Sequence, residues 1–215
     1  MLTYNLYNPN KKGTLILAAP RYGSHFLAQV VVDWLPAELK PAQNIGGHSE
    51  IGQTDQKLFG VSKELATLKQ QPGYQVTIVN DQSAKCWIMA QPDLVKDWHI
   101  VRIIHDNKIH WFKSYWYFLM NNDSRFEHHG TDQVVYKEHL DQHGQYTIAP
   151  NQIDSTGWML AQTLLNQHIS CDEHIDYQEL ARLDTNVQWL GNEYLNIKLS
   201  TLFTNSDVIE KLLTN

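Results

Sequence analysis

Residues 14–35 constrain the fold of this chain more than any other stretch. Thr14 opens a short apolar run, Leu15, Ile16, Leu17, Ala18 and Ala19, which Pro20 ends. A run of that length bounded by a breaker predicts a buried strand. From Ser24 the apolar residues Phe26, Leu27, Val30, Val31 and Leu35 recur at helical spacing until Pro36, which predicts an amphipathic helix. A strand feeding a helix through a tight turn belongs to a strand–helix–strand unit. Such units build parallel sheets covered by helices on both faces.

The turn itself, Pro20-Arg21-Tyr22-Gly23, has a chemistry. A helix start offers N–H groups outside its own ladder and a partial positive charge. Gly23 permits close backbone approach to an anion. Ser24 can cap the helix or give its hydroxyl to a phosphate, and Arg21 adds a forked, permanent cation. Spacing alone fits an ordinary strand–turn–helix, with Arg21 in a surface ion pair, equally well. The glycine-lysine pair of the Walker A loop is missing, which argues against ATP or GTP hydrolysis and a kinase-like phosphotransferase.

Elsewhere the pattern predicts a weaker helix at 55–70, strands at 75–79, 85–89 and 99–104, and an aromatic helix at 109–120. A glycine-containing loop is expected at 44–52, a helix at 155–168 and a strand at 174–177. Helices at 186–194 and 206–213 close the chain, the last capped by Asn205 or Ser206. Residues 121–150 are polar and His-rich without clear periodicity. No repeat, low-complexity tract or Pro/Gly/Ser-rich linker divides the sequence, so a single domain over 1–215 is expected.

With 215 residues and 42% hydrophobic content the chain can bury a core, and 19% charged residues argues against disorder. A net charge of −6 argues against a cationic nucleic-acid surface, though a local cationic pocket is allowed. Cys86 and Cys171 are the two cysteines, too few for a disulfide framework, so a reduced, cytoplasmic protein is expected. The run after Lys11-Lys12 is too short for a signal peptide. No stretch reaches the ~18 apolar residues of a membrane span. Of eleven histidines, His139 and His143 are four apart and can share a helical face, but spacing fixes no third ligand, and no metal is expected. His128 and His129 point apart in either regular structure. The aromatic run 111–118 has helical spacing, which favours core packing and a pocket wall over a nucleic-acid stacking platform.

The segment Pro20-Arg21-Tyr22-Gly23-Ser24-His25-Phe26-Leu27 resembles the phosphosulfate loop of the sulfotransferases, Pro-Arg-Ser-Gly-Ser/Thr-Ser/Thr-Phe-Leu, with Tyr22 and His25 in place of small hydroxyl residues. A second stretch, 101–118, is similar to that family's 3′-phosphate segment, in which a strand ends in a turn and a helix carries a serine followed by aromatics. Ser114 matches the serine and Tyr115-Trp116-Tyr117-Phe118 the aromatics, while His105 or Asp106 stands where the family has arginine. Residues 174–180 resemble a late strand of the family.

The resemblance implies a P-loop-type central parallel sheet with helices on both faces. It also implies sulfuryl transfer from PAPS (3′-phosphoadenosine 5′-phosphosulfate) to a hydroxyl or amine of a small-molecule or carbohydrate acceptor, with no metal. It assigns Arg21, Tyr22, Gly23, Ser24, His25 and Phe26 to the 5′-phosphosulfate, and Ser114, His105 and a cation from Lys108 or Lys113 to the 3′-phosphate. It places an acidic base in the loop after the first helix. Gly47 takes that position here, so the role passes to His48 or Glu50, with His25 a third contender. A non-catalytic nucleotide- or phosphate-binding protein on the same scaffold is the alternative.

Overall fold

Five consecutive buried residues, Gly13–Leu17, form strand β1 at the centre of the sheet. A computed structural model describes residues 4–19, 22–40, 49–51, 59–121, 144–149, 165–186 and 198–214, with the backbone alone for 49–51, 59–63 and 115–121. Contacts divide the chain into two units, Met1–Ile104 with Ala161–Val187, and His105–Leu160 with Gln188–Asn215.

The first unit holds the sheet. Its strands are β1, β2 (Ser49–Ile51), β3 (Gln75–Val79), β4 (Trp98–Ile104) and β5 (Glu173–Asp176). Among the described residues they form one parallel sheet in the order β2-β3-β1-β4-β5. Burial on both faces explains why β1, and β3 beyond Gln75, read as continuous apolar or small-residue runs rather than alternating ones. Gly13 is required where β1 begins. A Cβ there would lie 2.2 Å from the Gln75 carbonyl oxygen and 2.7 Å from the Trp98 ring.

Helix α1 (Ser24–Trp34) follows β1, α2 (Phe59–Gln70) precedes β3, and α3 (Gln82–Ala90) follows it. Leu65 of α2 and Ala84 and Ile88 of α3 pack on Leu15, Leu17, Val79, Trp98 and Ile100 in one core, so α2 and α3 share a face of the sheet. The β1-to-β2 connection runs the opposite way along the sheet. Right-handed crossovers of opposite direction place their helices on opposite faces, and α1 accordingly packs on β1 and β3 from the other side. The molecule is an α/β protein with a parallel sheet. Strand order reverses between β1 and β4, and the crevice outside their carboxyl ends is where such sheets receive ligands.

Several expectations are corrected. Residues 85–89 are helical, within α3, rather than a strand. The Asp81 carboxylate accepts from the Ala84 N–H at 2.8 Å, a side-chain cap that starts the helix, and the buried residues Ala84, Lys85 and Ile88 follow the 3.6 period. Ser49–Ile51, expected as loop, pairs in register with Thr77–Val79; 44–48 and 52 lie outside the described residues. The late strand is Glu173–Asp176, and Tyr177 already opens the 3-10 helix Tyr177–Arg182. The strands expected at 75–79 and 99–104 and the helix expected at 24–35 agree with the structure, as do residues 59–70 of the helix expected at 55–70, of which 55–58 lie outside the described residues. Of the helix expected at 155–168, residues 165–168 are described and helical. The expected helix at 186–194 lies outside the described residues, apart from Asn186, which is non-helical. His128, His129, His139 and His143 also lie outside them.

The second unit is built on α4 (Lys108–Asn121), with α5 (Leu199–Leu202) and α6 (Ser206–Thr214) packed against it. The Phe112 and Phe203 rings lie 5.8 Å apart. Asn205 or Ser206 was expected to cap α6; Ser206 is its first residue, and the Asn205 side chain clamps the Ile148 backbone, donating to the carbonyl at 2.6 Å and accepting from the N–H at 3.2 Å. Among the described residues no helix is long and apolar enough to cross a membrane.

Candidate functional site

The candidate loop begins where β1 ends. Ala18 donates its N–H to Val79 at 3.4 Å, which keeps the chain on β3 one residue beyond the strand. The Tyr22 N–H donates to the Ala19 carbonyl at 3.2 Å. Gly23 then adopts φ 76°, ψ 24° as the N-cap of α1. A side chain at this left-handed position costs strain that glycine avoids. The first helical bond runs from the Leu27 N–H to the Gly23 carbonyl at 3.0 Å. A helix's own ladder leaves out the N–H groups of its first turn, here Ser24, His25 and Phe26. No acidic side chain stands in that turn, so its field is not cancelled locally.

Ser24 was expected as cap or phosphate donor. It is the first residue of the helix rather than its cap, and it is buried. Its Oγ accepts from Asn80 Nδ2 at 3.4 Å, which leaves the hydroxyl proton available to a ligand. Tyr22 and Phe26 are buried and belong to the core, while His25 is half-buried. Pro20 and Arg21 lie outside the described residues.

A second feature was not singled out by the sequence pattern. Lys85, on α3, has 0% exposure, and its Nζ donates to the Ala18 carbonyl at 2.5 Å. Burial pushes its amine from 10.5 down to about 7, with Asp81 pulling weakly the other way. The strand–loop junction therefore rests on a buried amine that is partly charged at neutral pH. Reading 85–89 as a strand hid this. The apolar spacing Ala84, Trp87, Ile88 behind Asp81 was the signal for a helix.

Of the candidate bases, His48 lies outside the described residues. Glu50 sits in β2, level with Ile78 and, across β3, with Ile16. Two strand spacings put its backbone ~10 Å from β1.

In the second unit, Asn107 starts α4. Its Oδ1 accepts from the His110 N–H at 2.8 Å, a side-chain cap. His105 Nε2 and His110 Nδ1 are 2.9 Å apart, and both rings are buried. Burial first, and His110 second, push His105 down to about 3, so it is neutral at pH 7 and offers a hydrogen bond rather than a charge. Lys113 and Ser114 are buried, at 6% and 4% exposure, and burial lowers the Lys113 amine. Lys108 is exposed. Five residues separate the two lysines, roughly 140° around the helix, so Lys113 and Lys108 do not share a face. Lys113 is the one beside Ser114.

Among the described residues no group of three or more His, Cys, Asp or Glu side chains is placed to hold a metal. The chain matches no family model, no curated protein and no solved structure.

Proposed function

We propose that this protein binds PAPS at residues 20–25 and transfers its sulfuryl group to a hydroxyl or amine of a small-molecule or carbohydrate acceptor. The observation that carries the reading is Gly23. It is a left-handed N-cap at the start of α1, directly beyond the carboxyl end of the central parallel strand, with no acid in the following turn. That arrangement favours an anion, and the surrounding residues match the phosphosulfate loop noted above.

Sulfuryl transfer breaks the bond between sulfur and the 5′-phosphate oxygen and forms one between sulfur and the acceptor atom. Negative charge builds on the departing phosphate oxygen. Arg21 and the first-turn N–H groups would stabilise that charge, and the fixed loop would hold the group in line. The acceptor's proton would pass to His48 or Glu50. A cytoplasmic location belongs to the same reading and agrees with the free thiols of Cys86 and Cys171.

The absence of an arginine where the resemblance calls for one, His105 or Asp106 standing there instead, favours a second reading, a nucleotide- or phosphate-binding protein without transfer activity. Calorimetric titration with adenosine 3′,5′-bisphosphate, ATP and GTP tests the proposal. Selective binding of the bisphosphate supports it. Preference for ATP or GTP would replace it with a kinase-like phosphotransferase.

A further inference from the structure

A cleft of about 480 Å³ is cut into the first unit beside α3, at the amino end of β4. That end of the strands is opposite the one that leads into α1, and the site is independent of the PAPS reading. Its size falls within the roughly 300–1,000 Å³ of clefts that take small molecules. The apolar lining is Ile88, Val95, Trp98, Ile100 and Ile169, all members of the core cluster between α3 and the sheet. Met89, also in the lining, is exposed.

The polar lining is uneven in charge. Lys11 and Lys96 meet where β1 and β4 begin. Lys11 Nζ donates to the Lys96 carbonyl at 2.6 Å, which fixes an ammonium beside the cleft with donors to spare. Asp172 is the acid of the lining, and its Oδ2 already accepts from the Ile100 N–H at 2.7 Å, with His99 Nδ1 3.6 Å away. Asp97 lies within electrostatic reach of both lysines but is paired with Lys69 at 2.8 Å. His168, the remaining ionisable nitrogen base of the lining, brings no negative charge. Trp98 adds a separate observation. It is 1% exposed, and its indole N–H has no acceptor among the described residues. The Cζ3 corner of its ring is the part that would meet a Cβ at Gly13, at 2.7 Å, so the N–H, across the indole, faces away from β1. A buried donor without an acceptor is costly, and an acid oxygen can supply one.

We infer that this cleft binds a medium-chain fatty acid, its carboxylate at Lys11 and Lys96 and its hydrocarbon against Ile88, Val95, Ile100 and Ile169. The apolar wall selects the body of the ligand, and the two lysines select the sign of its head. Trp98, two residues after Lys96, is the donor at the same end of the cleft.

The test is calorimetric titration of the full chain with octanoate, octan-1-ol and octylammonium, with alkylation of Cys171 as a measure of place. Octanoate should bind, about threefold to fourfold more tightly for each methylene added from hexanoate upward. Octylammonium should bind at least about tenfold more weakly, because two lysines, each worth up to about fivefold, turn from attraction to repulsion. Octan-1-ol should fall between. Cys171 lines the cleft, and Cys86, exposed on α3, does not. Octanoate should therefore slow alkylation of Cys171 and leave Cys86 unchanged. Met89→Glu and Lys96→Glu, both at exposed positions, should each weaken octanoate about fivefold or more without lowering the melting temperature of the ligand-free protein. No heat and no protection of Cys171 at millimolar octanoate would overturn the site. Equal binding of octanoate and octylammonium would overturn the acid as its occupant. Equal protection of both cysteines would mark the binding as adventitious and overturn it too. A Cys171 shielded without ligand and freed on dilution would give the cleft to a second copy of this chain instead.

Discussion

Replacing Lys85 by methionine should change how stability depends on pH. The amine has an ordinary value of 10.5 and is pushed to about 7 by burial. Below about 7 it is charged in both the folded and the unfolded chain, and the folded state carries the full cost of burying it. Between about 7 and 10.5 the unfolded chain holds more protons than the folded one, so stability rises with pH. The slope there approaches ~1.4 kcal/mol per pH unit, and the whole window is worth at most ~5 kcal/mol. Methionine has similar reach and no charge. It leaves the Ala18 carbonyl without its donor, an offset of ~1–3 kcal/mol that does not vary with pH. Urea denaturation of both proteins between about pH 6 and about pH 10 gives the difference in unfolding free energy, in which the other titrating groups cancel. Wild type should gain on the variant by roughly 4 kcal/mol across that range. A difference that stays flat would mean that Lys85 is not buried as charged amine, and the description of the loop's support would fail with it.

Gly13→Ala should destabilise the sheet by ~2–4 kcal/mol or prevent folding, because the new methyl meets backbone at Gln75 and the Trp98 ring; thermal melting measures it, and a wild-type midpoint would contradict the β1–β3 register. Adenosine 3′,5′-bisphosphate should bind at least about tenfold more tightly than AMP if the protein reads the 3′-phosphate, and a ratio near one would contradict recognition of PAPS. Once an acceptor is known, His48→Ala and Glu50→Ala compared at saturating PAPS should identify the base, with His48 expected first because an ordinary imidazole near ~6.5 is already poised for proton transfer. Full turnover in both variants would exclude that segment from catalysis.

The parts of the fold that could be read from the sequence are those where chain punctuation and burial agree. Pro20, Gly23 and Pro36 bracket β1 and α1, and burial of β1 on both faces leaves an unbroken apolar run. β3 and β4 are largely buried as well, although Gln75, Thr77, His99 and Arg102 interrupt their apolar runs. Residues 85–89 misled because Lys85-Cys86-Trp87-Ile88-Met89 is mostly apolar over strand length, a case that periodicity does not resolve; the Asp81 cap decides it. β2 is three residues long and owes its conformation to pairing with β3, not to propensity. Lys85 was invisible as a site residue for the same reason. Its burial and its bond to Ala18 depend on how α3 packs beneath β1, which local sequence does not encode. By contrast the tight turn at Gly23 was expected, though not its left-handed conformation, and Ser24, expected as a cap, stands one position later, as the first residue of the helix. His105 and Ser114 were legible as residues, but not their burial, which makes His105 neutral.

The most direct test of the central claim is titration of adenosine 3′,5′-bisphosphate into wild type and Arg21→Ala. The nucleotide should bind wild type, and loss of a charge-assisted phosphate contact should weaken it by about tenfold or more without lowering the melting temperature of the ligand-free protein. Equal affinity in the two proteins would contradict a phosphate site at residues 20–25.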